Sequence, residues 1–389
     1  MPPRGKKSQD ASAKRADAGH GFPGQVVLVL QGGGALGAYQ VGVFEAMHDA
    51  GIEPDWVIGT SIGAINGAII AGNPVTERMA RLEELWSTLT REAFSPVSFF
   101  WPGFEAGLDW RFFSDWRVFM GGIAGFFAPN PLLGFSLKAP VGVERAAFYA
   151  TDDLRKTLEA LVDSDFLNAG APRLTVGAVS TTRGAMRYFD SKREMLGIDH
   201  VMASSALPPA FPAVSIEGEA YWDGGVYSNT PVEAVFDDYP RCDSVVFTVQ
   251  MWNPAGPEPQ SLWDVFTRQK DIQYASRAGS HIVRQAQIHH LRHIVRELGA
   301  RLPKEQKTLP EVMDMAGYGC ATTMHMVRLV APRLDGEDQF KDIDFTPGGV
   351  GARRQAGYED MHAMLARRPW AEPVDPKLGV VVHNVPGND

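Results

Sequence analysis

The 389-residue chain has an ordinary globular composition, with 44% hydrophobic and 21% charged residues, and a formal net charge of −9. Residues 1–20 carry five Lys or Arg against two Asp, a charge of +3, so the remainder carries −12, which disfavours nucleic acid as the main partner. No uninterrupted apolar run reaches the roughly 18 residues that a membrane-spanning helix needs.

Residues 1–23 are rich in Lys, Arg, Ser, Ala and Gly, so the composition predicts a disordered basic leader. It lacks the apolar segment of a secretory signal. Cys242 and Cys320 are the only cysteines, a number that suits a reducing compartment. We expect a cytoplasmic protein. The basic leader also allows peripheral contact with an anionic membrane, although a solvated tail is the simpler interpretation.

Strand and helix patterns alternate after the leader. Short apolar runs bounded by glycine, typical of strands buried on both faces, alternate with helix-forming segments. The order is strand 25–31, helix 35–50, strand 55–58 and helix 62–71. This βαβα order predicts an α/β fold with a mainly parallel central sheet.

The remainder of the chain continues with less regular elements. Strands are predicted at 173–181, 186–190, 244–251 and 323–330, and helices at 152–163, at 261–301 and from Thr346 to Arg368. Residues 94–135 hold 13 of the 39 aromatic residues. We therefore expect a catalytic domain at 24–255 with an aromatic cap insertion at 94–140, followed by a helical C-terminal extension at 256–389. The candidates for substrate contact in the cap are Trp110, Phe113 and Trp116.

Ser61 lies in the segment Gly59-Thr60-Ser61-Ile62-Gly63, which fits G-x-S-x-G between a predicted strand and a predicted helix. Glycines on both sides permit the sharp turn of a nucleophile elbow, and the helix N-terminus beneath it favours a developing negative charge. The pattern predicts a nucleophilic serine. The alternative is a Gly-Ser loop packed under a helix without any chemistry.

Gly32, Gly33 and Gly34 follow the first strand, at the sheet edge where Ser61 is also expected. Successive glycines expose neighbouring N–H groups, which suits an oxyanion hole or a phosphate cradle. With Gly37 they also satisfy G-x-G-x-x-G. A dinucleotide site would need an acidic residue at the end of the second strand, whereas Asp55 lies at its start.

Asp223 follows a short predicted strand and precedes two glycines. An aspartate at such a position reaches neighbouring strand ends and can act as the base of a nucleophilic serine. It can equally be a turn-forming residue. The residues by themselves leave both interpretations open.

Four motifs occur in the order that the patatin-like phospholipase family shows, and over roughly residues 25–250 the chain resembles that family. The motifs are the loop 32–37, the elbow 59–63, the block 203–212 and the Asp223-Gly-Gly segment. The rest of the chain resembles a C-terminal extension of some bacterial members. The sequence departs from the family at Gln31 and Leu36, where the family has Asp and a cation.

The resemblance implies a three-layer patatin-like sandwich and a Ser–Asp dyad without histidine. Ser61 would be the nucleophile, Asp223 the base, and Gly32, Gly33 and Gly34 the oxyanion hole. It implies a lipase or phospholipase A type hydrolase of lipid acyl esters that needs neither cofactor nor metal. The same dyad would also serve a hydrolase of hydroxyalkanoate polyesters or an acyltransferase. A non-enzymatic lipid-binding protein is the alternative from another class.

Histidines offer two further alternatives. A Ser–His–Asp triad would need a late histidine, and the candidates are His281, His325, His362 and His383. None of them has the turn context of Asp223. His289 and His293 share a helix face, but no third metal ligand accompanies them in the sequence.

Overall fold

The computed structural model describes residues 21–93, 123, 125–131, 140–334, 337, 339–375 and 378–385. The strands are β1 (Gln25–Leu30), β2 (Trp56–Gly59), β3 (Ala128–Pro129), β4 (Tyr149–Ala150), β5 (Arg173–Ser180), β6 (Met186–Asp190), β7 (Val214–Ile216), β8 (Glu219–Asp223), β9 (Ser244–Gln250), β10 (Met324–Val330) and β11 (Val380–Asn384). The leader residues 1–20 lie outside the described residues.

The helices among the described residues are α1 (Ala38–Asp49), α2 (Ile62–Ala71), α3 (Val75–Ala93), α4 (Asp152–Leu161), α5 (Ser164–Leu167), α6 (Ile198–Ser204), α7 (Glu233–Phe236), α8 (Leu262–Arg301), α9 (Lys304–Lys307), α10 (Pro310–Ala316) and α11 (Pro347–Arg367). Short 3-10 turns occupy Gly34–Gly37, Gly224–Val226 and Pro369–Ala371. None of these helices is both long and apolar enough to cross a bilayer.

A nine-stranded sheet forms the centre of the described structure, in the order β11-β10-β9-β1-β2-β5-β8-β7, with β6 also paired to β5. From β11 to β5 the neighbours run parallel. The strands β6, β7 and β8 pair antiparallel. The mainly parallel α/β sheet predicted from the βαβα order is confirmed.

Helices cover both faces of this sheet. Leu28 and Leu30 of β1 belong to one core cluster, together with residues of α1, α2, α3, α4 and α11. Val27 and Val29, which alternate with them, belong to a second cluster with residues of α7 and α8. The three-layer arrangement is therefore confirmed, because alternate residues of the same strand are buried under different helical layers.

The C-terminal segment is built into the central layers. Its strand β10 pairs parallel with β9, and β11 continues the sheet beyond β10. The helix α11 crosses α1 so closely that a Cβ on Gly42 would lie 1.8 Å from the main-chain oxygen of Arg354. On the other helix, a Cβ on Gly357 would lie 2.0 Å from the oxygen of Tyr39. The region predicted as a helical extension, 256–389, thus shares one sheet and one core with residues 24–255.

Local patterns set most element boundaries. The predicted helix 62–71 is α2 without change, and the predicted strand 186–190 is β6. The last helix begins near Thr346 as predicted, and the Thr346 side chain caps it by accepting the Gly349 N–H. Helix α3 was not predicted, although Leu82, Leu85 and Leu89 are buried on it at helical spacing.

Candidate active site

Ser61 lies between β2 and α2 with φ of +57°, a backbone conformation that side chains rarely adopt. The two flanking glycines allow the turn because no side chain fits there. A Cβ on Gly59 would lie 2.2 Å from the main-chain oxygen of Gly63, and one on Gly63 would lie 2.3 Å from the oxygen of Leu30. The predicted G-x-S-x-G segment therefore forms a strained strand–turn–helix elbow.

The elbow is fastened to α6. The Ser61 N–H donates to the main-chain oxygen of Ser204 at 3.0 Å, and the Ser204 hydroxyl donates to the oxygen of Gly177 on β5 at 2.7 Å. The Ser205 hydroxyl donates to the main-chain oxygen of Ser61 at 3.2 Å. These serines belong to the block 203–212, one of the four motifs that resemble the family. Their contacts show that the block supports the elbow.

Sheet register brings Asp223 level with Ser61. On one side of β5, Gly59 pairs with Val176, and on the other side Asp223 pairs with Ala178. Ala178 lies two residues beyond Val176, as Ser61 lies two residues beyond Gly59. The two side chains therefore approach each other across the end of β5, and the Ser61 hydroxyl interacts with the Asp223 carboxyl.

The Asp223 carboxyl is almost completely removed from water, with a relative exposure of 1%. Its Oδ1 accepts the Gly225 N–H at 2.6 Å, whereas its Oδ2 is buried without a hydrogen bond from the described residues. Burial raises the pKa of Asp223 from 3.8 to about 7, while the Ser61 hydroxyl and the Gly225 N–H act in the opposite direction. A carboxyl with this pKa can both accept and release a proton near neutral pH.

The glycine loop offers two unoccupied donors rather than three. The Gly32 N–H already donates to the main-chain oxygen of Asn229 at 3.1 Å. Gly32 instead lies close to the elbow, since a Cβ on it would be 3.0 Å from the Cβ of Ser61. The N–H groups of Gly33 and Gly34 have no acceptor among the described residues. Of the three glycines predicted as an oxyanion hole, these two retain that capacity.

Gln31, at the position where the family that the chain resembles has aspartate, is completely buried. Its amide nitrogen donates to the Thr230 hydroxyl at 2.7 Å and to the main-chain oxygen of Tyr274 at 3.3 Å. Its amide oxygen accepts the main-chain N–H of Trp252 at 3.1 Å. A carboxylate has no such donors. The amide of Gln31 thus connects the glycine loop to Tyr274 on α8, through a donor that an aspartate lacks. The sequence pattern did not predict this connection.

A cavity of about 280 Å³ adjoins Asp223 through Gly225 and Asn229. Its apolar lining includes Leu207, Pro208 and Val226, and its polar lining includes Tyr227, Gln273 and Tyr274. Burial, followed by the charges of Asp342 and Asp223, raises the pKa of the Tyr274 phenol. The α8 residues Gln273 and Tyr274 therefore complete a pocket close to Asp223. The sequence-predicted contacts Trp110, Phe113 and Trp116 lie outside the described residues.

The late histidines lie away from this pocket. On β10, His325 is level with Val245 and hence with Val26, at the opposite end of β1 from the glycine loop. His383 contacts His325, with 3.0 Å between Nε2 and Nδ1. Within the described residues, no histidine is hydrogen-bonded to Ser61 or Asp223. The strand register therefore places His325 and His383 away from Ser61, where a Ser–His–Asp triad would need a histidine.

The remaining candidates of the sequence analysis are in structural roles. His281 lies 3.6 Å from Glu233, and the exposed His362 stacks on Tyr358. The ring of His293 is hydrogen-bonded to the Thr322 carbonyl, and His289 packs on Phe236. In the part of the chain that the structure describes, no three His, Cys, Asp or Glu side chains converge as a metal site.

Asp55, considered for a dinucleotide site, lies at the far end of the sheet. Its carboxylate accepts the Val26 N–H at 2.9 Å, at the start of β1. The loop Gly32–Gly37 follows the other end of that strand. The spacing of a dinucleotide site is therefore absent here.

Comparisons with known proteins identify the family of the chain. A family model described as patatin-like phospholipase matches residues 28–236, which is more than half of the chain. A second one, described as patatin phospholipase, matches residues 272–377. VipD from Legionella pneumophila is a solved structure with 16% identity and a TM-score of 0.39, covering 88% of this chain and 67% of its own.

Similar curated proteins share short segments with this chain. Lysophospholipase nte1 of Aspergillus terreus is 61% identical over 46 residues, which are 12% of this chain and 3% of the relative. Human patatin-like phospholipase domain-containing protein 6 is 38% identical over 72 residues, 18% of this chain and 5% of the relative. The chain thus spans only a small part of these relatives. The family match over residues 28–236 is the broader finding, and the chain belongs to the patatin-like phospholipase family, a family of carboxylic ester hydrolases.

Proposed function

We propose that this protein is a serine hydrolase of lipid acyl esters that uses a Ser61–Asp223 dyad. The observation that carries the proposal is the Ser61 hydroxyl on a strained elbow, interacting with a buried carboxyl whose pKa is about 7. The lysophospholipase relatives point to the same substrate class, although each aligns over a short segment.

The reaction follows from the positions of these groups. The Ser61 oxygen attacks the acyl carbon while its proton passes to Asp223, and the carbonyl oxygen becomes an oxyanion. The N–H groups of Gly33 and Gly34 stabilise that oxyanion. Asp223 then returns its proton to the departing alcohol, which leaves an acyl ester on Ser61. Water, deprotonated by Asp223, releases the acid and restores the dyad.

The pocket lining combines apolar and uncharged polar groups, which favours the acyl part of a substrate. Leu207, Pro208 and Val226 provide an apolar wall, whereas Tyr227 and Gln273 provide polar groups. No Lys or Arg lines this cavity among the described residues, and Leu36 stands where the family has a cation. We expect that recognition depends on the acyl chain more than on a phosphate headgroup.

A substrate panel tests the proposal directly. It contains p-nitrophenyl esters of graded chain length, phospholipids, lysophospholipids and hydroxybutyrate oligomers, with and without an alcohol acceptor for acyl transfer. A fluorophosphonate probe should label Ser61, and Ser61→Ala should lose labelling and all turnover while remaining folded. The control Ser215→Ala, at an exposed serine of β7, should keep both. Turnover by Ser61→Ala would refute the dyad, and a folded wild type inactive on every ester would favour lipid binding alone.

A further inference from the structure

The peptide between Gly32 and Gly33 is fixed by side chains from outside the glycine loop. The Gly32 carbonyl accepts the Trp252 indole N–H at 2.9 Å and the Asn229 amide at 3.1 Å. The Gly32 N–H donates to the Asn229 main chain. Because a trans peptide is planar, the Gly33 N–H points away from the Gly32 carbonyl. Holding that carbonyl therefore sets the direction of the Gly33 N–H.

Trp252 is itself held by the C-terminal part of the chain. It follows β9 and is 2% exposed. Its ring stacks on Tyr274 of α8, with 4.9 Å between centroids. The ammonium groups of Lys341 and Lys270 lie 5.3 and 6.0 Å from the ring centre, within the range of cation–π attraction.

The same C-terminal residues are tied to one another. Lys270 donates to the carboxylate of Asp342 at 2.6 Å, and the main-chain oxygen of Asp342 accepts the Ala35 N–H of the glycine loop at 2.8 Å. Lys341 pairs with the buried Asp271 at 2.7 Å. The buried indole is therefore packed among Tyr274 and the ammonium groups of Lys270 and Lys341. Residue 252 falls between the two segments matched to the family, 28–236 and 272–377.

We propose that Trp252 is a positioning residue for ester hydrolysis, whose indole N–H fixes the Gly32 carbonyl and thereby aims the Gly33 N–H at the developing oxyanion. The inference rests on the proposed function and adds a role for the C-terminal region, which holds the indole through Tyr274, Lys270 and Lys341. Losing one oxyanion donor typically lowers kcat by about 10²–10³-fold. A donor that remains but points less accurately should cost a part of that factor.

Trp252→Phe removes the indole N–H and keeps an aromatic ring. With a short soluble ester we expect kcat to fall about tenfold or more while KM changes little, because the lost contact acts on the transition state. The matched control is Trp56→Phe. Trp56 is equally buried and donates to the Thr175 hydroxyl at 2.9 Å, but it belongs to the core cluster on the α7 and α8 side of the sheet. Its variant should keep the wild-type kcat.

A pair of isosteric substrates separates positioning from mere packing. Sulfur accepts hydrogen bonds poorly, so an aimed N–H favours an ester over the corresponding thionoester. The ester-to-thionoester ratio of kcat/KM should therefore fall in Trp252→Phe and stay at the wild-type value in Trp56→Phe. An equal loss on both substrates, or an unchanged kcat, would overturn the inference.

An unnatural replacement covers the case in which Trp252→Phe does not fold. Benzothienylalanine keeps the size of the indole and replaces the N–H by sulfur, and at position 252 it should lower the same ratio. A wild-type ratio in that protein would also overturn the inference. Ser61→Ala keeps the two proposals apart: its loss of all turnover supports the dyad whatever Trp252 does, and its retained turnover refutes the dyad.

Discussion

The main-chain oxygen of Asp342 lies so near Gly34 that a Cβ built on Gly34 would be 2.2 Å from it. Gly34 also has φ of +56°, in the region that favours glycine. The N–H of the next residue, Ala35, donates to the same Asp342 oxygen at 2.8 Å. Asp342, in the C-terminal region, therefore packs directly against the glycine loop and holds it by a hydrogen bond.

Gly34→Ala should lower kcat by roughly 10²-fold. The added methyl group would push the glycine loop away from Asp342 and misdirect the N–H donors of the loop. The measurement is kcat on a soluble ester. Gly51→Ala is the matched control, since Gly51 has φ of +70° but open space around its Cβ position. Gly51→Ala should lose about 1–2 kcal/mol of stability from backbone strain, and Gly34→Ala should lose more, because its clash with the Asp342 oxygen adds to the same strain. Full activity in Gly34→Ala would show that the glycine loop takes no part in the reaction.

Asp223 should give the activity an acid limb near neutral pH. The base must be unprotonated, and burial raises its pKa to about 7. The value of kcat/KM should therefore rise through about pH 7 and then level, where an ordinary aspartate would give a limb near 4. A limb near 4 would contradict the buried-base mechanism.

Asp223→Asn should reduce activity on the order of 10³-fold or more, as loss of a dyad-type partner does in other serine hydrolases. Replacing His281, His325, His362 or His383 one at a time should cost much less. The comparison is made by kcat/KM on one soluble ester. A histidine variant that matched the Asp223 loss would restore the triad interpretation.

The same substitution should stabilise the fold at high pH. Since the folded-state pKa of Asp223 lies above 3.8, its carboxylate is less favourable in the fold than in the unfolded chain, and this destabilises the protein increasingly from about pH 4 to pH 7. Asp223→Asn should raise the free energy of unfolding by up to about 4 kcal/mol above pH 7, at ~1.4 kcal/mol for each pKa unit. Urea unfolding should show the gain vanish toward pH 4. Equal stability of the two proteins at pH 8 would contradict the burial of a charged Asp223.

Arg173 should matter for stability and not for catalysis. It is buried between Asp190 and Asp238, and its guanidinium lies 3.8 Å from the centre of the Trp56 ring. Arg173→Met would leave the buried carboxylates of Asp190 and Asp238 with only the exposed Arg193 as an ion-pair partner among the described residues, and should destabilise the fold by about 3–5 kcal/mol in urea. Arg183→Met, which breaks only the ion pair of an exposed arginine with Glu219, should cost less than about 1 kcal/mol. Equal losses of stability in the two variants would mean that the ion pairs of Arg173 are solvated like the ion pair of Arg183.

The aromatic segment 94–135 is predicted to meet lipid. Trp110→Ser with Trp116→Ser should weaken vesicle binding and hydrolysis of aggregated substrate, because Trp side chains favour the lipid–water boundary. Turnover of a short soluble ester should survive. Phe126 and Phe127, by contrast, are buried against Phe211 and Tyr149, so this part of the segment is core. Equal loss on both substrates, with a lowered Tm, would extend that core role to the tryptophans.

The sequence by itself determined the local framework. Apolar runs and glycine turns placed β1, β2 and α2 to within one or two residues, and the serine at position 61 stood out because an elbow needs glycines on both sides. Asp223 was less certain, since an aspartate before two glycines is equally a turn former, and the family resemblance was needed to assign it. These features depend on neighbours in the chain, which a sequence pattern records.

Only the tertiary structure decided the pKa of Asp223 and which N–H groups of the glycine loop remain available as donors. The pKa of Asp223 rises because several distant elements exclude water from it. The Gly32 N–H is lost as a donor because Asn229, almost 200 residues away, accepts it, and Trp252 fixes the adjoining carbonyl. Likewise, the strand at 323–330 was predicted from its local pattern, but only the fold shows that it joins the central sheet through β9. Burial and hydrogen-bond partners are set by residues that become neighbours only on folding, so local periodicity carries no record of them.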